Sequence, residues 1–122
     1  MAPPPLRRRV LFVEDEPVIR QSYQRFFAAR YDAAFAATGA EALRLAQAQI
    51  PDVAVLDMRL PDTDGIALIR HLRELRPALP VIVTSAYVSL EPQLKVLDVP
   101  HSGYLVKPFD LAELGDRIDS LG

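Results

Sequence analysis

An α/β fold, with a doubly wound, five-stranded parallel sheet, is expected for this chain, and three observations predict it. Short apolar runs alternate with helical apolar stripes in a βα order repeated five times. The runs are apolar on consecutive residues rather than on alternate ones, as strands covered on both faces require. The length, 122 residues, suits one domain with a single real core and no cross-links.

The elements follow in order. Val10-Leu11-Phe12-Val13 forms the first strand. A helix follows from Pro17, which suits a first turn because its missing N–H would be unpaired there anyway. Its stripe is Ile19, Tyr23, Phe26, Phe27 and Arg30. Asp32 to Ala37 is a weaker, alanine-rich strand, and the run from Gly39 is rich in good helix formers. Val53 to Leu56 is the third strand. Ile66, Leu68, Ile69, Leu72 and Leu75 mark a third helix, ended by Pro77. Val81 to Val83 is the fourth strand; between Tyr87 and Val99 the pattern is poor, and Pro92 and Pro100 limit any helix to two or three turns. Tyr104 to Val106 is the fifth strand. Leu111, Leu114, Ile118 and Leu121 form the last helical stripe, with Asp110 as its N-cap. Strands alternating with helices imply right-handed crossovers. The expected organisation is a flexible tail over residues 1–8 and one domain over 9–122, with no effector domain within the sequence.

Composition excludes several classes of function. Half of the residues are hydrophobic and 25% are charged, an ordinary globular balance. There is no cysteine, so disulfides, thiolate metal sites and cysteine nucleophiles are ruled out. His71 and His101 are too few for a histidine-rich zinc site. A net charge of −2 argues against direct nucleic-acid binding. The basic cluster Arg7-Arg8-Arg9 reads as a solvated tail entering the first strand, preceded by the stiff Pro3-Pro4-Pro5. No signal peptide or membrane span is legible, and a cytoplasmic setting is expected.

Ligands of open α/β sheets bind outside the carboxyl ends of the strands. The first strand ends in Glu14-Asp15-Glu16, the third in Asp57, the fourth in Thr84-Ser85 and the fifth in Lys107-Pro108. Three carboxylates from two strands would meet there, and two such charges about 4 Å apart repel by about 4 kcal/mol at an effective dielectric near 20. An all-oxygen ligand set with open positions favours Mg2+. Lys107 adds a compact cation and Ser85 a hydroxyl, which together make a phosphoryl-binding constellation. Thr84 competes with Ser85 for the hydroxyl role on residue type alone. Glu16 reads as an acid favoured at a helix N-terminus, Asp62 and Asp64 as turn residues before Gly65, and the two histidines as solvated.

The segments Val10–Pro17, Val55–Gly65, Pro80–Ala86 and Gly103–Phe109, in this order and spacing, resemble the receiver domain of bacterial two-component response regulators, of the single-domain, chemotaxis-regulator kind. The resemblance covers Arg9 to the C-terminus. It implies a flavodoxin-like (βα)5 fold with strand order 2-1-3-4-5, and a signalling switch rather than an enzyme. It implies that Asp57 is the phosphoacceptor. Asp15 and Asp57 would be Mg2+ ligands, with Glu14 acting through water, the Arg59 backbone carbonyl completing the set, and Mn2+ as a substitute ion. Ser85 and Lys107 would bind the phosphoryl group, Tyr104 would be the aromatic switch residue, and the Lys107–Pro108 bond would be cis. Arg59 and Tyr87 occupy the positions that flank water's approach to the phosphoryl group. The implied partners are a histidine kinase or phosphotransfer protein and a downstream target, with homodimerisation common in the family.

Two rival readings stand beside this one. A Mg2+-dependent hydrolase of the aspartyl-phosphate type needs a second acid after the nucleophile, where Met58 and Arg59 stand. A degenerate receiver, acting as a phosphorylation-independent interaction module, would lack the acceptor, the acid pair or the lysine, all of which are present. One departure is notable. The family's small-residue ending of the fourth helix is replaced by Val96-Leu97-Asp98-Val99-Pro100-His101-Ser102-Gly103, which implies a short or irregular helix on the face that members commonly use to dimerise or meet partners.

Overall fold

The computed structural model describes residues 7–86 and 101–121. Its strands are β1 (Arg9–Val13), β2 (Asp32–Ala36), β3 (Val53–Asp57), β4 (Val81–Ser85) and β5 (Gly103–Val106). They form one parallel sheet in the order β2-β1-β3-β4-β5. The helices among the described residues are α1 (Pro17–Phe27), α2 (Gly39–Ala48), α3 (Gly65–Leu75) and the C-terminal helix, α4 (Leu111–Ser120). The doubly wound expectation and its strand order are thereby met. The short helix expected between Tyr87 and Val99 lies outside the described residues.

Strand alternation divides the core between the two faces of the sheet. Leu11, Val13, Ala54, Leu56, Val81 and Val83 point to the α2–α3 side, against Ala42, Ala46, Leu68, Ile69 and Leu72. Val10, Phe12, Val53, Val55, Ile82 and Leu105 point to the α1–α4 side, against Tyr23, Phe27, Leu114 and Ile118. Both faces are covered, which is why the strands carry apolar residues at consecutive positions. Each large side chain buried in this way contributes about 1.5–3 kcal/mol. Phe12 centres an aromatic group, its ring centroid 5.0 Å from that of Phe27 and 5.3 Å from those of Tyr23 and Phe35.

The α1 stripe and the arginine cluster depart from the sequence expectation. In the α1 stripe, Tyr23 and Phe27 are buried but Phe26 is exposed. The Ile19–Tyr23–Phe27 line, at i, i+4 spacing, faces the sheet, whereas Phe26 lies one helical step round and stands under the Arg30 guanidinium at 5.4 Å. Of the arginine cluster, Arg7 is exposed but the other two are engaged. Arg8 donates to Ile118 O at 2.8 Å and to Leu121 O, the carbonyl end of α4, where a cation is favoured. The Arg9 N–H donates to Asp52 Oδ2 at 2.9 Å.

Side-chain caps start three helices. Thr38 accepts from the Glu41 N–H, Asp64 from the Ala67 N–H and Asp110 from the Ala112 N–H. Asp62, expected to be a turn residue only, does more. From the β3–α3 loop its carboxylate accepts the N–H of Gly39 at 2.8 Å and that of Ala40 at 2.9 Å, so it caps a neighbouring helix.

Candidate functional site

Strand register assembles the site. Phe12 lies beside Val55, and Asp57 beside Thr84. By alternation Glu14, Asp57, Thr84 and Lys107 continue the rows of Phe12, Val55, Ile82 and Leu105, on the face covered by α1 and α4. Two carboxylates, a hydroxyl and one lysine therefore converge where those rows run out at the carboxyl edge, with Asp15 one residue beyond Glu14.

Lys107 lies at the centre. Its Nζ is 2.7 Å from Asp57 Oδ2 and 2.8 Å from Glu14 Oε2. Asp57 Oδ1 accepts from the Arg59 N–H at 3.1 Å, and Glu14 Oε1 from the Glu16 N–H at 3.2 Å. Glu14 is fully buried and Asp57 is 7% exposed. Asp15 is less deeply placed, and Glu14, Asp15 and Asp57 each offer a carboxylate oxygen within 4.8 Å of the others. Three negative charges thus face one ammonium.

Burial is the first reason that the Glu14 carboxyl is pushed up to about 7; the Asp57 charge adds to it, while Lys107 and the Glu16 N–H pull the other way. Burial pulls the Lys107 ammonium down, but its contacts with Asp57 and Glu14 outweigh that and hold it above its usual range. The donor set is oxygen only, and a divalent cation would balance the two negative charges that Lys107 leaves over. These residues fit a hard ion such as Mg2+.

The loops are held from behind. Arg20, one turn into α1, donates to Glu14 O at 2.9 Å and to Asp15 O at 3.2 Å. Beyond Asp57 the loop closes on itself: Met58 accepts from the Gly65 N–H at 2.8 Å, and Arg59 pairs with Asp64 in an isolated bridge. Gly65 is required there, because a Cβ would lie 2.7 Å from Met58 Sδ and 2.9 Å from Met58 Cα. The Lys107 N–H donates to Ser85 O at 2.7 Å, tying β5 to the end of β4. The Lys107–Pro108 peptide bond is cis, as the resemblance implies.

Of the residues singled out from sequence, Glu14, Asp15, Asp57 and Lys107 come together. Ser85 is buried at the end of β4, one position beyond the partner of Asp57. Thr84 is turned to structural use, its hydroxyl facing Leu56 O at 3.5 Å. Tyr104 is half-buried and packs against the α2–α3 side of the core. His101, expected to be solvated, is instead half-buried with its ring 6.2 Å from that of Tyr104 in an edge-on contact. His71 is exposed, and so is Arg59, whose N–H meets the acceptor carboxylate. Tyr87 lies outside the described residues. Arg20 and Tyr23 are site residues that pattern reading passes over. The signal for Arg20 was a cation on the first turn of α1 behind an acid pair, and for Tyr23 a hydroxyl on an otherwise apolar stripe.

Comparison with known proteins points one way. Residues 10–119 match the family described as the response regulator receiver domain. The chain is 40% identical over 114 residues to the transcriptional regulatory protein PrrA of Mycobacterium tuberculosis, covering 93% of this chain and 49% of that protein. It is 37% identical over 114 residues to the response regulator MprA of Mycobacterium leprae, covering 93% of this chain and 50% of that protein. The chain therefore spans about half the length of these curated relatives. Among solved structures, the receiver domain of the Francisella response regulator 1452 superposes with a TM-score of 0.82 at 36% identity, over 93% of this chain and 95% of that one. The response regulator TrrA of Thermotoga maritima, solved in complex with Mg(2+)-BeF, gives a TM-score of 0.81 at 27% identity, over 94% of this chain and 99% of that one.

Proposed function

The chain belongs to the response regulator receiver family, the phosphoacceptor signalling domains of two-component systems, and from that premise we propose that Asp57 is its acceptor and that phosphorylation there switches the surface offered to a downstream partner. The observation that carries this reading is the Lys107 ammonium held between Asp57 and Glu14. A buried carboxylate that needs a lysine and leaves further negative charge unbalanced is costly as structure alone, and useful where a charged group must be received.

The donor is a phosphohistidine on a histidine kinase or phosphotransfer protein. A carboxylate oxygen of Asp57 attacks phosphorus, the bond from phosphorus to the donor nitrogen breaks, and the donor keeps the electron pair. Glu14, Asp15, Asp57 and the Arg59 backbone carbonyl would hold Mg2+, with Mn2+ as a substitute. Bound there, the ion offsets the carboxylate charge and draws charge from the phosphoryl oxygens. Lys107 passes from the Asp57 carboxylate to the phosphoryl group, and the Ser85 hydroxyl donates to a phosphoryl oxygen. Movement of Ser85 opens room for the Tyr104 ring, so the two conformations differ in population rather than in fold. Arg59 and Tyr87 shield the acyl phosphate from water and lengthen its lifetime.

The domain acts as a regulatory unit that catalyses only its own phosphorylation and dephosphorylation. We place it in the cytoplasm, without direct nucleic-acid contact of its own, and with homodimerisation as one output. Among the described residues no helix is long and apolar enough to cross a membrane. The test is incubation with acetyl phosphate and Mg2+ followed by intact mass. One phosphoryl group is expected on the wild type and none on Asp57→Asn, and persistent modification of that variant overturns the assignment.

A further inference from the structure

The face beneath the site holds one polar group with no task in the resting state. Tyr23 is 1% exposed, and its ring packs against Phe12 and Phe27, with centroids 5.3 and 6.2 Å away. Phenylalanine would fill that space equally well. The added hydroxyl is buried without a hydrogen bond, a condition that costs about 1–3 kcal/mol. It faces the Thr84 hydroxyl without forming a hydrogen bond of normal geometry, and that threonine is turned toward Leu56 O. Burial, then the nearby Glu14 and Asp57 charges, keep the phenol protonated, so it remains a donor.

The complementary acceptor lies on the same face. Glu14 Oε1 has the Glu16 N–H, but Oε2 is buried and has only the Lys107 charge, at 2.8 Å. Lys107 also serves Asp57, and on the phosphoacceptor reading it must follow the phosphoryl group when one arrives. Glu14 Oε2 would then lose the ammonium, and an ion held by the acids would offset its charge without donating a hydrogen bond to it.

We propose that Tyr23 is a positioning residue of the switch: its hydroxyl donates to Glu14 Oε2 in the phosphorylated state and takes the place that Lys107 gives up. The inference rests on the phosphoacceptor reading. It assigns to this chain an internal donor that favours the active conformation and is idle in the resting one.

The experiment compares wild type with Tyr23→Phe, using Mg2+ with beryllofluoride as the phosphoryl mimic. Without ligand, Tyr23→Phe should melt at or above the wild-type temperature, because it removes an unpaired buried hydroxyl. In calorimetric titration it should bind beryllofluoride about fivefold more weakly, the worth of a single hydrogen bond. In proton NMR the Tyr23 hydroxyl resonance, identified by its absence from the variant, should move downfield only in the beryllofluoride complex, a change that a purely packing role would not produce. Equal affinities, an unmoved hydroxyl resonance, or a resting variant that melts lower than wild type would each overturn the proposal. If wild type binds beryllofluoride, those results overturn Tyr23's role alone. If wild type binds none, the phosphoacceptor reading falls with it.

Discussion

Lys107 Nζ lies 2.8 Å from Glu14 Oε2, so the ammonium that pairs with Asp57 is shared with a carboxyl that is entirely shut off from water. That carboxyl is pushed from 4.5 up to about 7, and the sign of the consequence follows. Between those values the folded protein holds a proton that the unfolded chain has released, so folding stability falls as pH rises through the window and levels off above about 7. Lys107 moves oppositely. Its raised value gives stability that is complete below the ordinary lysine range and is lost only above it, outside this window.

In chelator, wild-type melting temperature should therefore decline from pH 5 to pH 7.5. Glu14→Gln should flatten the decline and melt higher at pH 7.5. The gain stays below the order of 3 kcal/mol that the full shift represents, because Lys107 loses one of its two partners. Parallel melting curves for the two proteins across this range would contradict the burial argument.

Removing the lysine has the opposite effect. Lys107→Ala leaves Glu14 and Asp57 buried together without a cation and should cost about 3 kcal/mol at pH 8 in chelator, by denaturant titration. At pH 5.5 the loss should shrink, since Glu14 can escape by taking up a proton. A loss that is independent of pH would assign Lys107 a packing role.

Crowding of acids also predicts the response to metal. Mg2+ at ten times its dissociation constant should stabilise wild type by about 1.4 kcal/mol. Asp15→Asn should melt higher than wild type in chelator and gain nothing from Mg2+. Identical wild-type melting in chelator and in Mg2+ would remove the metal site.

Gly65→Ala would force a Cβ to within 2.9 Å of the Met58 backbone, immediately after Asp57. It should destabilise by about 2 kcal/mol in denaturant titration and slow phosphorylation by acetyl phosphate, because the loop that fixes Asp57 must shift. Unchanged phosphorylation with lowered stability would separate the loop from the chemistry.

Asp62 caps α2 from another loop, and its N–H partners Ala40 and Gly39 hold the carboxyl below the usual aspartate range. That contribution is present at neutral pH and is lost as pH falls through the lowered value. Asp62→Ala should lower the melting temperature at pH 7, with Asp62→Asn in between, and the difference from wild type should fade in acid.

What sequence made legible was whatever one strand or one helix decides for itself. Asp57 and Lys107 stood out because each ends a run of consecutive apolar residues, a position where a charge loses solvation, and strand order then brought them together. The second role of Asp62 is hidden in the sequence because its partner, Gly39, is 23 residues away at the start of another helix. Arg8 reads as tail in the sequence because the carbonyls it meets are more than a hundred residues distant. The Tyr23 hydroxyl is invisible in the sequence because a hydrophobic stripe treats tyrosine as apolar, and only the charge of Glu14 on the same face gives the oxygen a meaning.

The Arg8 cross-tie also fixes where labels can go. It holds the beginning of β1 against the last turn of α4, so residues near the two ends of the described fold lie side by side. Both lie at the amino edge of a parallel sheet, and the five residues of β3, about 16 Å long, separate that edge from Asp57 at the carboxyl edge. A donor and acceptor fluorophore placed at Arg7 and Leu121 would begin in close proximity and part only when the protein unfolds. A pair meant to report the phosphorylated state needs one dye near the carboxyl edge instead.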